Sequence, residues 1–433
     1  MKRILIICLA LIVFSSIKAQ EAFLPINFSA LEKKVKKSNE EIADSKKAAN
    51  PSTWVRRGEI MLSVYDVDLE QINEGMTQTN LKLFYKDPVV STEEINGKQY
   101  EVYSYERIKF YFDKKALVMW NRTKSAYENS LEETYNSLKK ASELDQAGKY
   151  TEKILEDFNK LKNQLKRHGI NNYYSGNKEN ALKDFEMVLA INKLPALKGE
   201  TDTLMIQYSG IIARELNHIE KAIEHYKELA AIDNQPNTYL QIKEDYLKLQ
   251  DTISAISTME KAFKIYPDTL NIVANLVDLY IRTNKISDGL NTIEIAINSN
   301  PQKGEFYYWK GRLQLNAIDD ERITKALESY NKAISLSPDL YYAYYDIGFI
   351  YFLQGQDLFT RAGDEKDLKI RENMVEVATG HFEKALPSLE KSLELNTINI
   401  DIRKETLATL KRVYYKLQMM DKYNDVSEKL KNL

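Results

Sequence analysis

What most limits the shape this chain can take is self-similarity at a spacing of about 34 residues. Ala326, Tyr330, Ala333 and Pro338 stand at successive offsets of 4, 3 and 5, with Gly311 fifteen residues ahead of them. Ala255, Met259, Ala262 and Pro267 repeat those offsets, and so do Gly289, Ile293, Ala296 and Pro301. Tyr246 and Tyr280 each lie nine residues before the first member of their set. Gly169, Ala181 and Phe185, then Gly210, Ala222 and Tyr226, keep a looser version in which the gap from Gly to Ala is twelve. Beyond Pro338, Tyr344, Gly348 and Tyr351 open another copy, whose second half resumes near Ala385 and Leu389. A last helix pair runs from about Asp401 to Leu433. Small residues let two helix axes approach, large apolar ones fill the space between pairs, and Pro stops a helix because it lacks the amide donor. With only 15 Gly and 9 Pro in 433 residues, breakers are too scarce for many short strands, so the bulk is predicted to be helical.

From about residue 150 to 433 these positions resemble the tetratricopeptide-repeat family. The resemblance implies an all-α, right-handed superhelical solenoid of antiparallel helix pairs. It also implies that first-helix residues line a concave groove: Tyr308, Trp309, Arg312, Tyr345 and Phe349, with Asn271, Asn275, Asp278 and Arg282 one repeat earlier. Aromatic side chains plus Arg are the usual makings of an interface hot spot. The same rings have a plainer use, cementing one repeat to the next. Lys243 and Val277 stand where the family has Gly, which predicts slightly wider packing there. The Lys and Asn arrangement by which some family members clamp a peptide's terminal carboxylate is not reproduced.

Residues 20–150 depart from the array. Trp54, Gly58 and Tyr65, on a helix beginning after Pro51, look like the first half of one more unit. Helical spacing returns only near Ser125, with Leu131, Tyr135, Leu138 and Ala141, so the second half is displaced by an insert over about 67–124. Tyr100 to Phe112 and Ala116 to Trp120 are rich in strand formers, and Asp113-Lys114-Lys115 can turn between them, which predicts a β-hairpin. A second insertion, about 353–381, is helix-forming and carries Leu358, Phe359, Leu368, Ile370, Met374 and Val377. It predicts a helical hairpin projecting about 15 Å from the array.

The first 19 residues have a signal peptide's layout: Lys2 and Arg3, an apolar run from Ile4 to Phe14, then small and polar residues up to Ala19. The run is about half of what a bilayer-spanning helix needs. Cleavage removes Cys8, the only cysteine, so neither disulfide nor thiolate chemistry is available to the rest. Of 61 basic residues three fall in this leader, against 63 acidic ones overall. With no basic block, nucleic acid is not an expected partner. The expected location is exported, in the periplasm or on the cell surface or beyond.

Enzymes need convergent nucleophiles, acids, bases or metal ligands. The chain has four histidines and no His-Glu-x-x-His, phosphate-loop, nucleophile-elbow or dinucleotide motif. Glu215, His218 and His225 could suggest a partial metal site, but repeat register puts His218 in an inter-helix turn and His225 on an outer helix face. His168 is expected in the core. Asn27-Phe28-Ser29 and Asn121-Arg122-Thr123 match a glycosylation sequon, a pattern that arises often by chance. No enzyme activity, cofactor or metal is expected. The function expected is a scaffold or adaptor holding envelope proteins. The alternative is a glycan or small-ligand receptor built on the aromatics Tyr341, Tyr342, Tyr344, Tyr345 and Trp309.

Overall fold

Helix boundaries follow local capping chemistry. In the computed structural model, which describes residues 27–194 and 201–433, helix α3 (Pro51–Asp66) begins with Pro at its first turn. Asn50 Oδ1 there accepts from the Ser52 amide at 3.0 Å. The expected leader lies outside the described residues. Asp251 caps α11 (Thr252–Ile265) through the Ser254 amide at 3.0 Å, and Asn399 caps α18 (Ile400–Lys416) through the Ile402 amide at 3.0 Å. Several first helices end on one device, a left-handed residue at Asn217, Gln250, Asn284 or Gln418. The next amide then reaches back five residues, as in Asp251 N to Tyr246 O at 2.9 Å and Lys285 N to Tyr280 O at 2.8 Å. This turn reverses the chain in three residues and makes each helix pair tight.

The described residues divide between His218 and Ile219 into two compact units. In the first, α1 (Phe28–Ala43), the single-turn α2 (Ser45–Ala48) and α3 precede α4 (Gln78–Leu81) and a sheet. After the sheet come α5 (Ser130–Leu144), α6 (Thr151–Tyr174), α7 (Lys178–Asn192) and α8 (Thr203–Glu215). Helix α3 packs against α5 although the sheet separates them in sequence. A Cβ placed on Gly58 would come within 2.9 Å of the Leu138 side chain, the close crossing that only Gly allows. Buried Arg57 ties three helices together, donating to Glu133 at 2.5 Å, Ser38 at 3.1 Å and Asn39 at 2.9 Å.

The expected hairpin is part of a larger sheet, four antiparallel strands in sequential order: β1 (Val89–Ile95), β2 (Lys98–Ser104), β3 (Ile108–Asp113) and β4 (Ala116–Arg122). Lys114 and Lys115, both left-handed, make the β3–β4 turn. The stretch read as one arm, Tyr100 to Phe112, breaks at Tyr105–Arg107 and supplies two strands. An Asn96-Gly97 turn, left-handed at both residues, adds a fourth. The outer edge of β4 pairs with the backbone of residues 75–77 at Ala116 and Leu117, and at Trp120 it is closed by a side chain. Asn171 of α6, itself buried, accepts from the Trp120 amide at 2.8 Å and donates to the Trp120 carbonyl at 3.1 Å. Asn171→Ala leaves both backbone groups buried and unpaired, which costs about 1–2 kcal/mol. The Trp120 amide is expected to exchange with deuterium about tenfold faster or more; native-like protection there would show that Asn171 does not hold the edge.

The second unit runs from α9 (Ile219–Asp233) through α10 (Pro236–Lys248), α11, α12 (Leu270–Arg282), α13 (Ile286–Ser299), α14 (Gly304–Leu315) and α15 (Arg322–Leu336). It continues through α16 (Tyr341–Asp364), α17 (Leu368–Leu395) and α18 to α19 (Met420–Lys431). Consecutive helices pack on one another throughout. Beyond that, α12 meets α14 and α16 meets α18, whereas no two second helices come together to the same extent. At these two steps the first helices form the closer-spaced layer of the unit, which puts their free face on its inner side. Pro267, Pro301 and Pro338 follow the ends of α11, α13 and α15 by two residues each. Lys243 and Val277, in the positions of the missing glycines, are both buried. Helices α16 and α17 are 24 and 28 residues long, against 12 to 15 for α9 through α15. They pack along that length, with Gly355 against Phe382 and Gly348 against Leu389. An all-helical repeat of antiparallel pairs with a small β insertion near the N-terminus is what the structure shows.

Candidate partner-binding face

Repeat register decides which side chains share the inner face of the second unit. Asn275, Trp309 and Asp346 occupy equivalent positions on α12, α14 and α16, spaced 34 and then 37 residues apart. Asp278, Arg312 and Phe349 form a second row, and Asn271, Glu305 and Tyr342 a third. The three extra residues fall in the turn between α14 and α15, where Asp319 receives Lys325 at 2.5 Å.

On α12 the polar residues are paired among themselves. Asn275 donates to the Asn271 carbonyl at 2.7 Å and accepts from Lys243 Nζ at 2.8 Å, while exposed Arg282 bridges to Asp278 at 2.7 Å. Lys243, placed where Gly is usual, thus divides its buried ammonium between Glu244 of its own helix, at 2.5 Å, and the neighbouring first helix. Asn271 is exposed; Asn275 and Asp278 are half-buried.

On α14 and α16 the aromatic residues form two groups. Tyr308 is only 8% exposed; its ring centroid lies 4.4 Å from Tyr342 and 5.6 Å from Tyr330 of α15. It works from beneath, accepting from Arg312 Nη1 at 3.4 Å. The Arg312 guanidinium sits over the Trp309 ring, 5.5 Å from its centroid, and both are half-buried. In the second group Tyr345 and Phe349 stack with centroids 5.5 Å apart and 15° between planes, and Phe349 continues onto Phe352 at 6.1 Å. The rings thus pack on one another and against the neighbouring core.

Register also brings in Asp346, and packing brings in Glu405 of α18, neither singled out from sequence; Tyr330 and Tyr342, named there as a repeat position and as a ring of the alternative site, join them. Asp346 stands beside Arg312 and the Tyr308 and Tyr330 hydroxyls. Burial pushes its carboxyl up to about 6, against the pull of Arg312 and the two hydroxyls. Burial likewise raises the Tyr308, Tyr330 and Tyr345 hydroxyls well above their usual range, with Asp346 adding to the first two and Glu405 of α18 to the third. The signal for Asp346 was there to be read, since it lies 37 residues after Trp309. The resulting face carries carboxamides on α12, a guanidinium on an indole at α14, and a largely enclosed carboxyl beside stacked rings on α16. Such a surface can hydrogen-bond an extended backbone while seating an aromatic or acidic side chain.

The histidines lie elsewhere. His218 is in the turn before α9, 3.5 Å from Glu179, and Glu215 pairs with Lys178 at 3.1 Å. His168, expected in the core, keeps over a third of its side chain exposed and bonds Asp184 at 2.8 Å. Among the described residues no three His, Cys, Asp or Glu side chains are grouped to hold a metal ion, and no helix is long and apolar enough to cross a membrane.

Residues 319–355, covering α15 and the first half of α16, match the TPR repeat family model. That span holds Ala326, Tyr330, Ala333, Pro338 and Gly348, the residues on which the self-similarity was first seen. No curated protein matches the chain. Among solved structures, it is similar to MamA from Desulfovibrio magneticus RS-1, at 18% identity over 43% of this chain and 95% of that one, TM-score 0.30. It is also similar to a TPR repeats protein from Bacteroides fragilis NCTC 9343, at 18% identity over 57% and 97%, TM-score 0.32. A third is the C-terminal part of a TPR repeat-containing protein from Cytophaga hutchinsonii, at 17% identity over 61% and 97%, TM-score 0.36. With TM-scores this low, the fold rests on the chain's own packing and on the repeat match.

Proposed function

We propose that this protein is a non-catalytic scaffold or adaptor, exported to the periplasm or cell surface, that holds a partner protein along the inner face of its second unit. The observation that carries this reading is the set of rows running across α12, α14 and α16. Asn275, Trp309 and Asp346, with Asp278, Arg312 and Phe349 beside them, present alternating polar and aromatic groups at the spacing of the repeats. A ladder of that kind suits a segment lying across several helices, because each repeat meets it with one or two side chains. Export is supported by the leader-like first 19 residues.

The partner is expected to be captured by cross-linking the tagged protein in its native cell envelope and identifying the adducts by mass spectrometry. Trp309→Ala with Tyr345→Ala removes one anchor from each aromatic group, and losing hot-spot residues costs about 2 kcal/mol or more of binding each. The double variant should therefore lose the specific adducts while the parent keeps them. Adducts that survive the double substitution would place binding on another surface.

A further inference from the structure

In the first unit a cleft of about 490 Å³ opens between residues 123–129, which lead from β4 into α5, and the facing sides of α6 and α7. That is the size of a small-molecule site. Its lining is not the apolar one typical of such sites, being made mostly of hydroxyls, carboxamides and charged groups. Two buried donors in its wall have no hydrogen-bond partner. The Tyr65 hydroxyl is one, on a residue only 2% exposed, and Arg122 Nε is the other. The two belong together, because Arg122 Nη2 donates to the Tyr65 carbonyl and its guanidinium lies over the Tyr65 ring, 4.9 Å from the centroid. The large majority of buried side-chain polar atoms are paired, so two orphan donors on residues in direct contact, both lining the cleft, call for an acceptor oxygen from outside the chain.

The facing wall supplies complementary chemistry. Asp184 accepts from Asn172 at 2.8 Å and holds His168 Nδ1 at 2.8 Å. A carboxylate on Nδ1 fixes the proton there and leaves Nε2 of the neutral ring as an acceptor. The His168 ring also meets the Tyr65 ring edge-on, with centroids 5.8 Å apart, so the acceptor wall and the orphan donors border the same space. Donors calling for an anionic oxygen, an imidazole acceptor for a hydroxyl, and further hydroxyls and carboxamides together describe one kind of ligand. From this arrangement we infer that the cleft binds a small sugar acid, a polyhydroxylated molecule whose carboxylate meets Arg122 and Tyr65 while a hydroxyl donates to His168. This site lies in the first unit and does not depend on partner binding by the second.

The test is calorimetric titration of the full chain with D-glucuronate, D-glucose and inorganic phosphate, beside Tyr65→Phe. Glucuronate is expected to bind one to one with a dissociation constant below about 1 mM, and glucose at least about tenfold more weakly because the orphan donors stay unpaired. Phosphate, with no polyol to satisfy the other wall, is expected to give no saturable heat. Tyr65→Phe removes only a hydroxyl that has no partner within the protein, so its melting temperature should hold or rise while glucuronate affinity falls about fivefold or more. Should that variant melt lower than the parent, His168→Gln supplies the same loss of affinity from the opposite wall. Absence of glucuronate binding, equal binding of glucose, saturable binding of phosphate alone, or variants that both bind like the parent would each overturn the assignment.

Discussion

Ala326→Arg is expected to lower the melting temperature of the second unit by about 10 °C, or to unfold its centre outright. Ala326 has no exposed surface and lies in a buried cluster with Tyr308, Tyr330, Ala333, Leu340, Ala343 and Ile347. Its helix crosses α14 closely: a Cβ on Gly311 would come within 2.5 Å of the Tyr330 ring. Overpacking a core typically costs about 1–3 kcal/mol. A guanidinium that cannot reach water or a counter-charge adds several more, for roughly 4 kcal/mol in all. At about 2–4 °C per kcal/mol for a domain of this size, the shift follows. Repeats are coupled mainly to their neighbours, so the damage should concentrate on α14 to α16 and appear there first as lost hydrogen-exchange protection. Thr324→Arg, two residues away on the exposed side of the same helix, is the control and should change stability by about 0.5 kcal/mol at most. Equal melting curves for the two variants would mean that the register assigned to α15 is wrong.

That test bears on why so much of the fold was legible. Close helix crossings impose a periodic demand for small residues, and periodic demands survive in sequence. Gly58 under Leu138, Gly169 under Phe185, Gly311 under Tyr330 and Gly348 under Leu389 each sit where a Cβ would meet the facing side chain within 3 Å. The sheet was only half visible. Strands β3 and β4 carry Phe110, Phe112 and Trp120 into the core, but β1 is exposed along most of its length and shows no alternation to mark it. Asn96-Gly97 was the available clue, a pair that in a turn asks for a left-handed backbone at both residues. The cleft of the first unit left no sequence trace. Tyr65 and Arg122 are 57 residues apart, one in a half-repeat and the other inside a chance sequon, and neither pattern points to the other. At the partner face, register named Trp309 and Arg312, yet enclosure of Asp346 depends on Tyr308, Tyr330 and Arg312 arriving from two other helices.

Asp346→Asn is expected to stabilise the protein at pH 8 and to leave it unchanged near pH 4. The carboxyl is pushed up to about 6 in the fold from an ordinary value of 3.8. Between those limits the folded state holds a proton that the unfolded chain has released, so stability falls as pH rises through this window and is level above it. The full shift corresponds to at most about 3 kcal/mol, and residual exposure of Asp346 trims it. Asn imitates the protonated acid in shape and charge, so the two proteins should coincide at the acid end and separate as pH passes 6. Asp66 of the first unit, also pushed up to about 6 by burial, adds its own slope to both proteins and cancels in the comparison. The groups facing Asp346 are Arg312 and Tyr308 from α14, Tyr330 from α15 and Glu405 from α18; none of them changes in the variant. Denaturant melts of both proteins from pH 4 to pH 8 read the difference directly, and parallel curves would show that the carboxyl is not held out of water. A carboxylate kept at the cost of stability on the inner face, against an arginine that itself lies over an indole, is what a surface retained for binding would carry. The same substitution should therefore weaken partner capture while strengthening the fold, a pairing of effects that loss of packing alone cannot produce.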